Sequence, residues 1–188
     1  HTSFERVDRM VSRSIRELTG EPTEAAAWSA LFRHSNRSRG RGDVGYRPGE
    51  KIAIKPNFVG MIFSEGCVDP DTYRLIERHR NYPNTSPQVL CAIVRQLVEG
   101  VGAKAADIAV CDTLAYLVHE YHDVLRGRHP GLRCVDFAGK FGREKVEASE
   151  VRLHWSSRPA GVRPDVLPTC FAEADYLINA ANLKAHPG

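Results

Sequence analysis

The chain has 188 residues, 42% of them hydrophobic and 26% charged, with a formal net charge of +3 at pH 7. This composition is ordinary for a globular protein, and the length suits one domain with a sizeable core or one domain plus a fragment of a second. The mild charge, with no block of lysines, argues against a nucleic-acid partner, and no apolar run is long enough to cross a membrane.

Two helices are predicted in residues 1–45, which form an N-terminal helical segment. The first covers residues 3–20, where apolar residues recur at helical spacing until Gly20. The second begins after Thr23, a suitable N-cap, and carries an apolar stripe around Trp28. The arginine-rich stretch 33–43 is predicted to be a solvated loop.

Residues 46–188 alternate between strands and helices and are predicted to form an α/β domain. Each strand is a short, nearly continuous apolar run, which indicates a mostly parallel sheet with helices on both faces. Residues 58–83 form an insertion of the kind that often serves as a lid or binding loop. Strands are predicted at 51–55, 107–113, 132–137 and 173–180, helices at 85–102 and 115–127, and an edge strand or hairpin arm at 150–155.

Five cysteines stand at wide, irregular spacings, and none belongs to a CxxC pair. This pattern argues against a disulfide framework and against a cysteine-based zinc or iron–sulfur site in this segment. Cys91, Cys111 and Cys134 lie inside apolar runs, where buried, reduced thiols are expected.

Polar residues follow three of the predicted strands. The first strand ends in Lys55-Pro56-Asn57, the second in Asp112-Thr113, and the last in Asn179, followed by Asn182, Lys184 and His186. In an open parallel sheet the carboxyl ends of the strands meet at one edge, where ligands bind. If these strands are neighbours, their polar ends form a single site.

Each of these groups has a chemical use. The two lysines, Lys55 and Lys184, supply positive charge for a phosphate or carboxylate, and the helix that starts at Thr85-Ser86 offers N–H groups to the same anion. Asp112 and His186 are the candidates for moving a proton or holding a divalent metal. The remaining predicted ligand-binding residues, which would orient the substrate, are Asn57, Thr113, Asn179 and Asn182.

Two alternatives stand beside this site. Asn and Asp residues after strands also satisfy loop backbone and cap helices, so the polar strand ends can be structural. Separately, His119 and His122 have the spacing of two metal ligands on one helix face, although the sequence around them lacks the glutamate arrangement of a zinc protease.

The stretches "GYRPGEKIAIKPN", "NTSPQVLCAIVRQ" and "ADYLINAANLKAH" resemble the family called domain of unknown function 362. In that family a strand ends in K-[PI]-N, T-[SA]-P opens the next helix, and a late strand reads D-x-[VL]-I-N before N/P-x-L-K-x-H. The resemblance extends from about Trp28 to His186. It implies an α/β domain that continues beyond the K-x-H element, so this chain is expected to be an incomplete domain.

The resemblance also bears on cofactors and location. Many relatives carry a four-iron cluster module after the domain, but its cysteines have no counterpart here, so an iron–sulfur role does not transfer. Other relatives are exported by a twin-arginine signal. The chain begins with His1, and both a cytoplasmic location and export with removal of a signal stay open. The family is distantly similar to the nickel-dependent lactate racemases, which suggests a cleft site without assigning nickel ligands.

Three functions follow from these observations. The first is an enzyme, or part of one, that acts on a small anionic organic molecule with a divalent metal as a candidate cofactor. The second is a non-catalytic binding module, such as a redox-partner or metallocofactor-assembly component. The third is a structural lobe whose polar strand ends serve its own loops.

Overall fold

The computed structural model describes residues 2–64, 66–76, 84–153 and 165–183. Short 3-10 turns lie at Val59–Met61 and Ala105–Asp107, and a π-helical turn, Gln96–Val101, continues the third helix. No helix within these ranges combines the length and the apolar character that crossing a membrane requires. In chain order the elements are α1 (Phe4–Thr19), α2 (Glu24–Ser38), β1 (Ile52–Lys55), β2 (Val68–Asp69), β3 (Arg74–Leu75), α3 (Pro87–Arg95), β4 (Ile108–Cys111), α4 (His119–Arg128), β5 (Arg133–Asp136), β6 (Glu144–Lys145), β7 (Ala148–Leu153), β8 (Asp165–Pro168), α5 (Thr169–Ala172) and β9 (Tyr176–Asn179).

Five strands form one parallel sheet in the order β6-β5-β4-β1-β9, which confirms the predicted α/β fold. β1 lies between β4 and β9, with Ile52 in register with Ile108 on one side and Tyr176 on the other. Strands β7 and β8 form a separate antiparallel pair, which corresponds to the hairpin-arm alternative for residues 150–153; residues 154 and 155 of that prediction lie outside the described residues. The described part of the 58–83 insertion contains a second small hairpin, β2 with β3.

The two faces of the sheet are covered unequally. Side chains alternate between faces along each strand, so Ile52, Ile54 and Val110 point into a large core with apolar residues of α1, α2, α3 and α4. The opposite face carries a smaller cluster in which Cys111 packs near Cys170 and Phe171 of α5. Helices therefore lie on both faces, with most of the helical mass on one.

Both N-terminal helices begin at the predicted residues, and α1 also ends where predicted. The Ser3 hydroxyl accepts a hydrogen bond from the Arg6 backbone N–H, and Gly20 ends α1 in the left-handed region at φ 74°. The Thr23 hydroxyl caps α2 by accepting from the Ala26 N–H. Arg95 of α3 then ties the helices together, because its guanidinium donates to Asp8 of α1 at 2.7 Å and to Glu24 of α2 at 2.9 Å.

Helices α2 and α4 differ from their predicted bounds. α2 continues to Ser38, into the stretch predicted as a solvated loop, because the buried Asn36 amide donates to the Val44 carbonyl and to the Tyr176 hydroxyl. α4 begins at His119 instead of residue 115. The preceding loop is held by other partners, since the Leu117 N–H donates to the Asp136 carboxylate at 3.0 Å.

Candidate functional site

The ends of β1, β4 and β9 lie side by side at one edge of the sheet. Lys55, the last residue of β1, is in register with Asn179, the last residue of β9. The Lys55 ammonium lies 3.9 Å from a carboxylate oxygen of Asp112, the residue that follows β4. The structure thus brings together a cation, a carboxylate and an amide from three separate parts of the chain, residues 55, 112 and 179.

Thr85 makes hydrogen bonds that connect the loops at this edge of the sheet. Its N–H donates to the Asn57 carbonyl at 2.9 Å, and its hydroxyl accepts from the Asn57 N–H at 2.9 Å. The same hydroxyl donates to the Ala180 carbonyl at 2.8 Å, and Thr85 is fully buried. Both the donor and an acceptor site of this hydroxyl are occupied, so Thr85 joins the loops after β1 and β9 to the start of α3.

Replacing Thr85 with valine is expected to lower the free energy of unfolding by about 2 kcal/mol, because two partly buried backbone groups lose their hydrogen-bond partner while the side-chain shape is kept. Urea denaturation of the wild type and the variant measures the difference. Thr113→Val, at a half-buried position beside Asp112, is the matched control and is expected to change the free energy by less than about 0.5 kcal/mol. Equal effects of the two substitutions would show that the Thr85 hydrogen bonds contribute little.

Asp112 positions the two loops that border the site. One of its carboxylate oxygens accepts from the Phe58 N–H at 3.0 Å and the other from the Leu114 N–H at 3.3 Å. Its side chain is only 11% exposed, whereas that of Lys55 is 38% exposed. Lys55 is therefore the more accessible of the two charged side chains. Asp112 accepts hydrogen bonds from the neighbouring backbone and lies beside the Lys55 ammonium.

The side-chain amides at the site differ in the hydrogen bonds that they make. The Asn182 amide donates to the Asn84 carbonyl at 3.0 Å, and the Asn84 side chain accepts from the Gly60 N–H at 2.9 Å. Asn179 is exposed, and its side chain accepts from the Ala181 N–H at 3.2 Å. Asn84 was not among the predicted residues, although its place directly before the Thr-Ser-Pro helix start is a usable signal.

Four further predicted residues complete the set. Ser86 is the N-cap of α3, where its hydroxyl accepts from the Val89 N–H at 3.3 Å, as a helix start requires. Asn57 is half-buried and follows β1 directly. Lys184 and His186 lie outside the described residues, so the part of the site that they were predicted to form stays a prediction.

A fourth strand end is also polar. Asp136, the last residue of β5, is buried and accepts hydrogen bonds from the N–H groups of Leu117, Ala138 and Gly139 at 3.0, 3.1 and 2.7 Å. Burial raises the pKa of Asp136, and these three hydrogen bonds work in the opposite direction. Asp136 organises the loops after β4 and β5, a role that its position in "LRCVD" does not reveal.

The predicted metal pair on α4 gains a third member in the structure. His119, His122 and Asp123 place potential ligand atoms within 4.8 Å of one another. The Nδ1 atoms of the two imidazoles lie 3.3 and 3.1 Å from the same Asp123 oxygen, which are ordinary hydrogen-bond distances. Burial lowers the pKa of His122, and the nearby Arg143 guanidinium adds to that effect. Hydrogen bonding to Asp123 accounts for the positions of both Nδ1 atoms without an ion between them.

The described part of the strand-end site presents one accessible ammonium, several amides and a carboxylate already bonded to backbone. This set suits a small ligand that carries negative charge and hydrogen-bonding groups. Comparisons with protein-family models, with curated proteins and with solved structures find no match for this chain.

Proposed function

We propose that the protein binds a small anionic organic molecule at the carboxyl ends of β1, β4 and β9, with Lys55 as its main cationic contact. The observation that carries the proposal is the partly exposed ammonium of Lys55, which is held at the junction of three adjacent strand ends beside Asp112. Open parallel sheets bind ligands at this edge. The N-terminus of α3, capped by Ser86, adds a favourable field for negative charge.

Binding and orientation are better supported than proton transfer for the described residues. Each carboxylate oxygen of Asp112 already accepts a backbone N–H, and the nearest charge is the Lys55 ammonium. Because both oxygens are bonded to neighbouring backbone, we assign Asp112 to orienting Lys55. We therefore place Lys55 and the amides of Asn57 and Asn182 around the anion. Lys184 and His186 belong to the proposal on sequence grounds, as a second cation and an acid, base or metal ligand.

The test is a thermal-shift screen of the whole chain against inorganic phosphate, sulfate, and small mono- and dicarboxylates, followed by titration calorimetry of any anion that raises Tm. Lys55→Ala is expected to weaken binding of that anion by about tenfold or more, since a charge-assisted hydrogen bond contributes at least about 1.4 kcal/mol. Added salt is expected to weaken the wild-type affinity as well, because exposed charge pairs are screened.

Lys104→Ala is the matched control. Lys104 is an exposed lysine that precedes the 3-10 turn leading into β4, so it lies toward the amino-terminal edge of the sheet. Its removal changes the net charge equally and is expected to leave the affinity unchanged. The proposal fails if no anion in the panel stabilises the protein, or if both lysine variants bind as the wild type does.

A further inference from the structure

Two cysteines meet on the less covered face of the sheet. Cys111 is the last residue of β4 and is buried, and Cys170 lies in α5 and is partly exposed. Their sulfur atoms share a hydrogen bond and lie 2.9 Å apart, although 59 positions separate them in the chain. The structure holds all five cysteines as thiols. A disulfide between this pair needs the sulfur atoms to approach to about 2.05 Å.

The two thiols of the pair are chemically different. The hydrogen bond with Cys111 lowers the pKa of Cys170, and the Arg133 guanidinium lowers it further, while burial opposes both effects. The same hydrogen bond and burial raise the pKa of Cys111. Cys170 is therefore the thiol of the pair that loses its proton more readily, and Cys111 is the partner that retains its proton. Burial raises the pKa of Cys91 to about 11 and that of Cys134 to about 12, which keeps both of them as unreactive thiols.

We propose that Cys111 and Cys170 form a redox-active pair that a peroxide converts into a disulfide. The Cys170 thiolate attacks one oxygen of hydrogen peroxide, the O–O bond breaks, and the products are a sulfenic acid and hydroxide, which takes a proton to become water. The Cys111 sulfur then attacks the Cys170 sulfur. The S–O bond breaks, the hydroxyl leaves as a second water with the Cys111 proton, and the S–S bond forms. Two thiols lose two electrons to one peroxide, and an external dithiol reverses the change.

The position of the pair connects it to the strand-end edge. Cys111 directly precedes Asp112, whose carboxylate holds the Phe58 and Leu114 N–H groups. Because Ile54 is in register with Val110, the next residues, Lys55 and Cys111, lie on the same face of the sheet. Oxidation would fix α5 to the end of β4 on that face. The pair does not depend on the proposed ligand, and its oxidation needs no ligand.

The experiment treats the reduced, full chain with hydrogen peroxide and counts thiols by alkylation under denaturing conditions. The count is expected to fall from five to three, and peptide mapping by mass spectrometry is expected to find one disulfide that joins the Cys111 and Cys170 peptides. Dithiothreitol is expected to restore five thiols. The oxidised protein is expected to have a higher Tm than the reduced protein, because the cross-link closes a long loop in the unfolded chain.

Three variants separate the roles of the two sulfur atoms. Cys170→Ser is expected to abolish the rapid loss of thiols, whereas Cys111→Ser is expected to accumulate a sulfenic acid on Cys170 that dimedone labels. Cys91→Ala removes a buried thiol outside the pair and is expected to form the disulfide normally. Circular dichroism of each variant checks that it folds. The proposal is overturned if the wild-type chain keeps five thiols after peroxide or forms a disulfide between a different pair. It is also overturned if dimedone labels the wild type as strongly as it labels Cys111→Ser.

Arg133 supplies a test that leaves both thiols in place. Arg133→Met is expected to slow the first oxidation step and to shift its pH profile upward, because the thiolate of Cys170 then forms at higher pH. Arg133→Lys, which keeps the positive charge, is expected to recover part of the rate. Identical pH profiles for the wild type and Arg133→Met would show that the guanidinium does not stabilise the thiolate.

Discussion

Replacement of Trp28 by alanine is expected to lower the free energy of unfolding by about 4 kcal/mol, the largest effect among the substitutions considered. Trp28 is buried in the main core and packs against Phe32, with 5.9 Å between the ring centroids. Its indole Nε1 donates to the Gln96 side-chain oxygen at 3.0 Å, and Gln96 is fully buried in the π-helical turn after α3. Alanine would leave a cavity and would also leave that oxygen without its donor.

A double-mutant cycle separates these two contributions. Trp28→Phe keeps most of the volume but removes the donor, and is expected to cost about 2 kcal/mol because the Gln96 oxygen stays buried without a partner. Combining it with Gln96→Leu is expected to cost less than the sum of the two single substitutions, since an apolar pair replaces a polar pair. Guanidinium denaturation measures all four proteins. Strict additivity would show that the indole–amide hydrogen bond is not a source of stability.

Gly139→Ala is expected to lower the free energy of unfolding by about 3 kcal/mol. Gly139 has φ 67°, a left-handed conformation that costs other residues about 1 kcal/mol or more. A Cβ atom at this position would also lie 2.5 Å from the Lys145 backbone nitrogen and 2.6 Å from its Cα. That backbone belongs to β6, so the clash forces the edge strand to move at a cost of about 1–3 kcal/mol.

Gly142→Ala is the matched control for this clash. Gly142 has φ 80°, but a Cβ atom there would meet its nearest neighbour, the His122 Nε2 atom, at 4.0 Å, which is ordinary contact. Only the backbone strain applies, so the expected cost is about 1 kcal/mol. Thermal unfolding of the two variants compares them directly. A difference near zero would mean that β6 moves away from residue 139 without cost.

The parts of the fold that depend on local sequence were predicted well. Thr23 caps α2 as expected, and Ser86 caps the helix predicted to start at Thr85-Ser86, because a cap is made by a side chain and an N–H group within three residues of it. The short strand β6 was missed, since its two exposed residues carry no apolar pattern and pair only because β5 lies beside them. The extension of α2 was missed because the partner of Asn36, the Tyr176 hydroxyl, lies 140 positions away.

In the candidate site, too, the residue types were predictable from the sequence, whereas contacts between distant parts of the chain were not. The residue types after β1, β4 and β9 indicated that Lys55, Asp112 and Asn179 would meet, and the strand order places them together. Sequence does not show how much of a side chain's hydrogen-bonding capacity is already used. Thr85 was predicted to contact a ligand, yet its hydroxyl is occupied by Asn57 and Ala180. The Cys111–Cys170 pair was likewise invisible, because it depends on the packing of α5 against β4.

The central place of β1 has a consequence for biosynthesis. β1 pairs on one side with β9, and the Lys51 N–H beside it donates to the Asp175 carboxylate, 124 residues later in the chain. While the polypeptide emerges from the ribosome, β1 can pair with β4 but must wait for β9 with one edge unpaired. The strand-end edge around Lys55 is therefore completed only after translation has passed Ala180, and a nascent chain arrested before that point would lack the β9 side of this edge even though its helices had formed.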